Sequence, residues 1–250
     1  MRAILYKTIE AMTMPFTITL VVSDKDKGQV LLETVSDQVL TDLRKIEDDF
    51  SPFKAGSMVS RFRAGEKELL LDPDFQEVYA KSLAAQEETE GAFDPFFDGD
   101  YNPTGLVKGW AIEQVFDRHL RPLLESAVIE AVGLNGAGDM QLLTGASSDF
   151  TWQVGIEDAL NPQQVVSRFS LKDGAIATSG LSKKGQHIKA SSSAIDQVTI
   201  VANSLVQADI WATALMTCEE TRARNLIARH RLSGLYQIGA THHYFQHGVL

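Results

Sequence analysis

Alternation of apolar and polar positions first becomes regular at Phe16-Thr-Ile-Thr-Leu-Val-Val22, a β-branched run that predicts a strand. From Ser36 to Phe50 the period lengthens. Val39, Leu40, Leu43, Ile46 and Phe50 fall on one helical stripe, which Ser51-Pro52 stops. Asp72 to Glu90 repeats that stripe with Phe75, Val78, Tyr79 and Leu83, and Gly91 suits the left-handed position after a helix. A loop rich in Gly, Asp and Pro follows from Asp94 to Gly105. Another helix is expected from Leu106 toward Pro122, carrying Trp110, Val115, Phe116 and Leu120.

The middle third changes character. Ala127–Leu134, Met140–Leu143, Thr151–Ile156, Ser167–Leu171 and Ala175–Thr178 are short segments punctuated by Gly, Asn and Asp, the pattern of an antiparallel meander. Ala127 to Ala131 reads equally well as a helical extension. Gln197–Ala202 is a further strand, after which Ser204 caps a helix to about Thr217. A last helix over Thr221–Arg231 and two terminal strands complete the pattern. Helices and strands segregate, which argues for an α+β fold over a doubly wound sheet. No repeat, low-complexity segment or linker divides the chain, so residues 1–250 are expected to form a single domain.

Composition narrows the classes. At 250 residues and 44% hydrophobic, the chain is long enough to bury a large core. A net charge of −10, with Lys183-Lys184 too short a basic run to neutralise several phosphates, disfavours nucleic acid as a partner. Cys218 is the only cysteine, which rules out an internal disulfide and suits a reducing compartment; it is expected to pack, not react. The opening Met1–Glu10 lacks the apolar run and small-residue cleavage site of a signal peptide, and no stretch approaches a membrane span. The expectation is a soluble cytoplasmic protein with no membrane insertion.

Two segments suggest chemistry. Asn102-Pro-Thr-Gly-Leu-Val-Lys-Gly109 sets glycines beside Lys108, which allows backbone and ammonium to approach a phosphate closely. A lysine at a helix start opposes the helix dipole unless an anion lies there. Ala208-Asp-Ile-Trp-Ala-Thr213 sets Asp209 and Thr213 four residues apart, hence on one helix face. That spacing is common on solvated helices, yet this helix is otherwise apolar. A buried carboxylate there needs a partner, and a divalent cation is one. A phosphate cradle with two hard oxygen ligands is what Mg²⁺-assisted phosphoryl chemistry uses. Asn135–Asp139 and Ala177–Gly180 read either as plain turns or as places of close ligand approach. His242, His243 and His247, with no carboxylate or cysteine beside them in sequence, suit an edge strand better than a metal site.

Taken in order, these segments resemble the ApbE-like flavin transferases (FAD:protein FMN transferases) over Met12 to about Met216. The matching pieces are Met12-Thr-Met-Pro-Phe16, Phe50-Ser-Pro-Phe53 with Ser57 to Arg61, Gly91-Ala-Phe-Asp-Pro95, and Asn102 to Ala111. They continue with Asn135 to Asp139, Ala177-Thr-Ser-Gly180, His187-Ile188 and Ala208 to Ala214. The resemblance implies a single α+β domain with mixed or antiparallel sheets and packed helices. It implies FAD as substrate, Mg²⁺ as cofactor, and transfer of FMN to a Thr or Ser hydroxyl of an acceptor protein with release of AMP. Metal ligands carry over to Asp209, Thr213 and the carbonyls of Gly105 and Ala212. Flavin contacts carry over to Met12, Phe53, Ala92, Phe93, Asp94, Asn102 and Lys108. His187 matches the family's histidine near the reacting phosphate, and Asp209 is a second catalytic candidate, orienting or deprotonating the acceptor hydroxyl.

The chain also departs from the pattern. His187-Ile188 runs into Lys-Ala-Ser-Ser-Ser-Ala instead of the usual x-Asp-Pro-x-Thr-Gly, Asn102 stands for an acidic residue, and Phe96 for a threonine. Thr13 replaces a glycine, and Phe53 lacks a tyrosine hydroxyl. Two alternatives therefore stand beside transfer: an FAD pyrophosphatase giving FMN and AMP, and a noncatalytic FAD-binding protein.

Overall fold

The computed structural model describes residues 1–180 and 194–250. It opens with a hairpin of β1 (Ala3–Ala11) and β2 (Met14–Val22), paired antiparallel from Ala3↔Val22 to Ala11↔Met14. Met12 and Thr13 form the tip with φ of 50° and 61°, as a two-residue loop matching strand twist requires. β1 has no counterpart among the expected strands. Leu5, Ile9 and Ala11 are buried, but Ile4 and Tyr6 point outward into solvent, so the alternation of apolar and polar residues is blurred.

The first helix, α1 (Lys25–Phe50), begins well before Ser36. The Asp24 carboxylate caps it by accepting the Lys27 N–H at 3.2 Å. Its polar first turn obscures a stripe that Leu32 and Val35 already continue. Then come α2 (Met58–Arg63) and, capped by Asp72, α3 (Pro73–Glu88). The helix expected from Leu106 to Pro122 is shorter: α4 spans Thr104–Val115, widens into a π turn over Phe116–Leu120 and tightens to a 3₁₀ turn over Arg121–Glu125. Pro122 cannot donate to a continued α-helical ladder, which fits the change of winding before it.

The remaining elements are β3 (Ile129–Gly136), β4 (Asp139–Thr144), β5 (Trp152–Glu157), β6 (Val165–Leu171), β7 (Asp173–Gly180) and β8 (Gln197–Ala202). After them come α5 (Leu205–Met216), α6 (Glu220–Arg229), β9 (Gly234–Ile238) and β10 (Thr241–Phe245). Of Ala127–Ala131, which reads as strand or helix, Ile129–Ala131 belong to β3, and Ala127 and Val128 form the turn before it. Eight strands form one sheet in the order β1-β2-β3-β4-β7-β8-β9-β10, and every pairing is antiparallel. Helices α1, α4 and α5 pack on one face. The β5–β6 hairpin covers part of the other through Val154, Ile156, Leu142, Ile176 and Leu235. This is the expected α+β architecture. Among the described residues no helix is long and apolar enough to cross a membrane.

Antiparallel register brings several turns to one end of the sheet. Ala11↔Met14, Phe16↔Gly136, Gly136↔Asp139 and Gly180↔Gln197 all lie there, and the Ala137 N–H donates to the Pro15 carbonyl at 3.2 Å. The C-terminal part of α1 returns to the same end, where Glu47 accepts the Met12 N–H at 2.8 Å. The loop before α4 is anchored by Tyr101, whose ring centroid lies 4.9–5.9 Å from those of Phe62, Phe75, Tyr79 and Phe96.

Candidate active site

Helices α4 and α5 lie antiparallel. At one end Glu113 accepts from the Ser204 hydroxyl at 2.8 Å and the Val206 N–H at 3.1 Å. Midway, Gly109 faces Asp209, and a Cβ on it would stand 3.1 Å from the Asp209 Cβ. At the far end the Thr217 hydroxyl donates to the Ala92 carbonyl at 2.9 Å, and the Phe93 ring lies over Gly105, where a Cβ would meet it at 3.0 Å. One turn from the Gly109–Asp209 level are Gly105 on α4 and Thr213 on α5, the residues expected to act together. The glycines of the Lys108 segment therefore serve close helix packing as well as any approach to a ligand.

Lys108 joins three elements. Its ammonium is in direct contact with Oδ2 of Asp139, at the start of β4, and 3.7 Å from Oδ1 of Asp209. Both carboxylate side chains are almost fully buried, 1% and 4% exposed. Burial opposes the Lys108 charge, but Asp209 and Asp139 outweigh it, and the lysine pKa is raised. Oδ1 of Asp139 accepts the Thr178 N–H at 3.0 Å, so β7 fixes this carboxylate. The hydroxyls of Ser179 and Thr213 are 3.3 Å apart, linking β7 to α5 one turn beyond Asp209.

In the sequence Asn135–Asp139 reads either as a plain turn or as a place of close ligand approach, and neither reading gives the Asp139 side chain a partner. Its tie to Lys108 depends on sheet register, which no local pattern encodes. The Ala177–Gly180 segment, left open between turn and ligand approach, is a β7 strand end whose Thr178 and Ser179 reach the site.

The other expected contacts divide into two groups. Ala92 and Phe93 are buried and border the α4–α5 pair, while Asp94 is exposed and its Oδ1 accepts the Phe96 N–H and the Gln86 amide, each at 2.9 Å. Asn102 organises the start of α4: its Oδ1 accepts from the Thr104 hydroxyl at 2.6 Å and N–H at 3.2 Å, and its Nδ2 donates to Asp98 at 3.0 Å. Met12 is tied instead to Glu47, which accepts its N–H at 2.8 Å and lies 3.2 Å from the ammonium of Lys54, while the Phe53 N–H donates to the Ser51 hydroxyl at 3.3 Å. Phe53 itself is 91% exposed. Ala212 is wholly buried on α5, next to Thr213. His187 lies outside the described residues.

Among the described residues no group of three His, Cys, Asp or Glu side chains is placed to hold a metal. A set built on one carboxylate, one hydroxyl and backbone carbonyls is of a different kind, and its hard oxygen donors suit Mg²⁺. His242 lies on the edge strand β10, 3.4 Å from Asp158, and His243 stacks on Tyr236 at 4.6 Å between centroids. Cys218 is buried, as expected, with its thiol pKa raised by burial.

The model of the ApbE family matches residues 12–99 and 101–236. The chain belongs to the ApbE family. Solved structures similar to it include an ApbE protein from Thermotoga maritima, at 18% identity, TM-score 0.80 and 97% coverage of both chains. The flavin transferase ApbE from Vibrio cholerae is similar at 16% identity and TM-score 0.74, covering 98% of each chain. The apo form of the flavinyl transferase ApbE from Pseudomonas stutzeri is similar at 17% identity and TM-score 0.75, covering 98% of this chain and 96% of that one. At these identities the likeness is one of fold. No curated protein matches by sequence.

Proposed function

We propose that this protein is an FAD:protein FMN transferase that uses Mg²⁺ to move FMN from FAD onto a Thr or Ser hydroxyl of an acceptor protein. The supporting observation is the meeting of Lys108, Asp139 and Asp209 on α4, β4 and α5, with Thr213 one turn beyond, in a chain of the ApbE family. In the reaction the acceptor oxygen forms a bond to the FMN-side phosphorus, the bridging P–O bond breaks, AMP leaves with that oxygen, and the hydroxyl proton is given up.

Asp209 and Thr213, with the carbonyls of Gly105 and Ala212, are the groups that would hold Mg²⁺. Helical carbonyls retain a second lone pair beside their ladder bond. When bound, the ion neutralises charge on diphosphate oxygens. Lys108 contributes a fixed positive charge where negative charge grows in the transition state. Any deprotonation of the acceptor by Asp209 is secondary to its role as a ligand. Exposed Phe53 offers a face for the flavin ring, and buried Ala92 and Phe93 a wall beside α4. By sequence resemblance alone, His187 would be the histidine that acts near the reacting phosphate.

The run after His187, which departs from that pattern, favours hydrolysis of FAD to FMN and AMP as a second reading. Incubation with FAD, Mg²⁺ and acceptor segments, followed by chromatography and mass spectrometry, separates the two. A flavinylated acceptor supports transfer. FMN and AMP with no labelled acceptor support hydrolysis, and intact FAD contradicts both in favour of noncatalytic binding.

A further inference from the structure

Two hairpin tips adjoin at the end of the sheet that carries the site, and their residues suit the bend unequally. Between β3 and β4 the turn is Ala137-Gly138, at φ of 52° and 104°, with glycine in the second place, where left-handed backbone meets no side chain. Between β1 and β2 the turn is Met12-Thr13, at φ of 50° and 61°. Left-handed backbone crowds any L side chain and is an outlier for a β-branched one. The Ala11↔Met14 pair closes this tip all the same. A conformation that its own residues disfavour persists only where the surroundings impose it.

The restraint comes from α1. Oε2 of Glu47, in the last turn of that helix, accepts the Met12 N–H at 2.8 Å. This donor lies in the turn, where the strand ladder offers it no carbonyl. Oε1 of the same carboxylate lies 3.2 Å from the Lys54 ammonium, which Asp48 also holds at 2.7 Å. Glu47 is thus aimed from both ends, and its side chain is only 25% exposed. We infer that Glu47 is a positioning residue that holds the Met12-Thr13 tip in its left-handed bend and so keeps Met12 in place for FAD. The inference rests on the reading of Met12 as an FAD contact. Glu47 acts through the backbone of the tip.

The test is calorimetric titration with FAD in EDTA, so that no metal enters, alongside melting temperatures. It compares wild type, Met12→Ala, Glu47→Gln, Glu47→Ala and Glu47→Ala/Thr13→Gly. Glutamine keeps an oxygen for the Met12 N–H, and glycine at position 13 takes the bend without help. Met12→Ala should weaken binding. Glu47→Ala should bind FAD about tenfold more weakly, the effect of losing one charge-assisted hydrogen bond. Glu47→Gln and the double variant should both bind near the wild-type level. A role confined to stability would lower the melting temperature of Glu47→Ala and leave its affinity unchanged. Direct contact of Glu47 with FAD would deny the double variant its recovery.

Wild-type affinity in Glu47→Ala, or a Glu47→Gln or double variant as weak as Glu47→Ala, overturns the inference and leaves the Met12 reading standing if Met12→Ala binds weakly. Wild-type affinity in Met12→Ala overturns that reading and the inference with it. Absence of FAD binding by the wild type overturns the proposed function as well. Should Glu47→Ala not fold, the double variant decides: near-wild-type FAD affinity supports the positioning role, and lost affinity contradicts it.

Discussion

Gly109 on α4 lies so close to Asp209 on α5 that a methyl group there would stand 3.1 Å from the Asp209 Cβ and 3.2 Å from both its Oδ2 and the Leu205 carbonyl oxygen. The carbonyl belongs to the backbone of α5 and cannot turn aside. Gly109→Ala should therefore push the helices apart, costing about 1–3 kcal/mol of stability and displacing Asp209 from Lys108. Thermal unfolding and FAD turnover check this together. A variant with wild-type melting temperature and rate would show that the close approach is incidental.

Replacing Lys108 by methionine leaves Asp139 and Asp209 buried without their shared ammonium. The expected loss is about 3–5 kcal/mol, as for other broken buried pairs, measurable by urea unfolding. The pH dependence has a definite sign. Because the Lys108 pKa is raised above the ordinary lysine value of 10.5, its stabilising contribution is complete below that pH and declines as pH rises through the raised value. Wild type should thus lose more stability than Lys108→Met above about pH 10.5. Parallel alkaline profiles would argue against the ion pair.

Phe53 separates folding from binding. An aromatic ring that is 91% exposed contributes little to the core, so Phe53→Ala should shift stability by no more than about 0.5 kcal/mol. If the ring stacks on flavin, the loss should appear in FAD affinity, about 1–3 kcal/mol for a lost aromatic stack, read by fluorescence titration. Unchanged affinity would remove Phe53 from the site.

Cys218 should be inert. Its sulfur donates to the Ala214 carbonyl at 3.3 Å within the core, and burial raises its pKa. Iodoacetamide should label it only after denaturant is added. Rapid labelling of the native protein would mean that α5 and its C-terminal turn open readily.

How much could be read beforehand follows the range of each interaction. Asp209 and Thr213 were legible because helical periodicity puts them on one face, and Lys108 because of its flanking glycines, although α4 begins at Thr104 and so places Lys108 in its second turn, not at its start. The same locality explains the misses. β1 hid because Ile4 and Tyr6 face solvent, and the first turns of α1 because Lys25, Asp26 and Lys27 carry no apolar stripe. Asp139 meets Lys108 and Thr178 across strand pairings, and Glu47 meets Met12 across 35 positions. Such partners become visible only once the strands are in register.

Intact-mass analysis of an acceptor segment is the most direct trial of the site built around Asp209. With FAD and Mg²⁺, wild type should add the mass of an FMN group to the acceptor and release AMP, and both products should vanish with EDTA or in Asp209→Asn, a variant that keeps the side chain's shape. An adduct that persists in Asp209→Asn, or forms equally well without a divalent cation, would contradict the assignment.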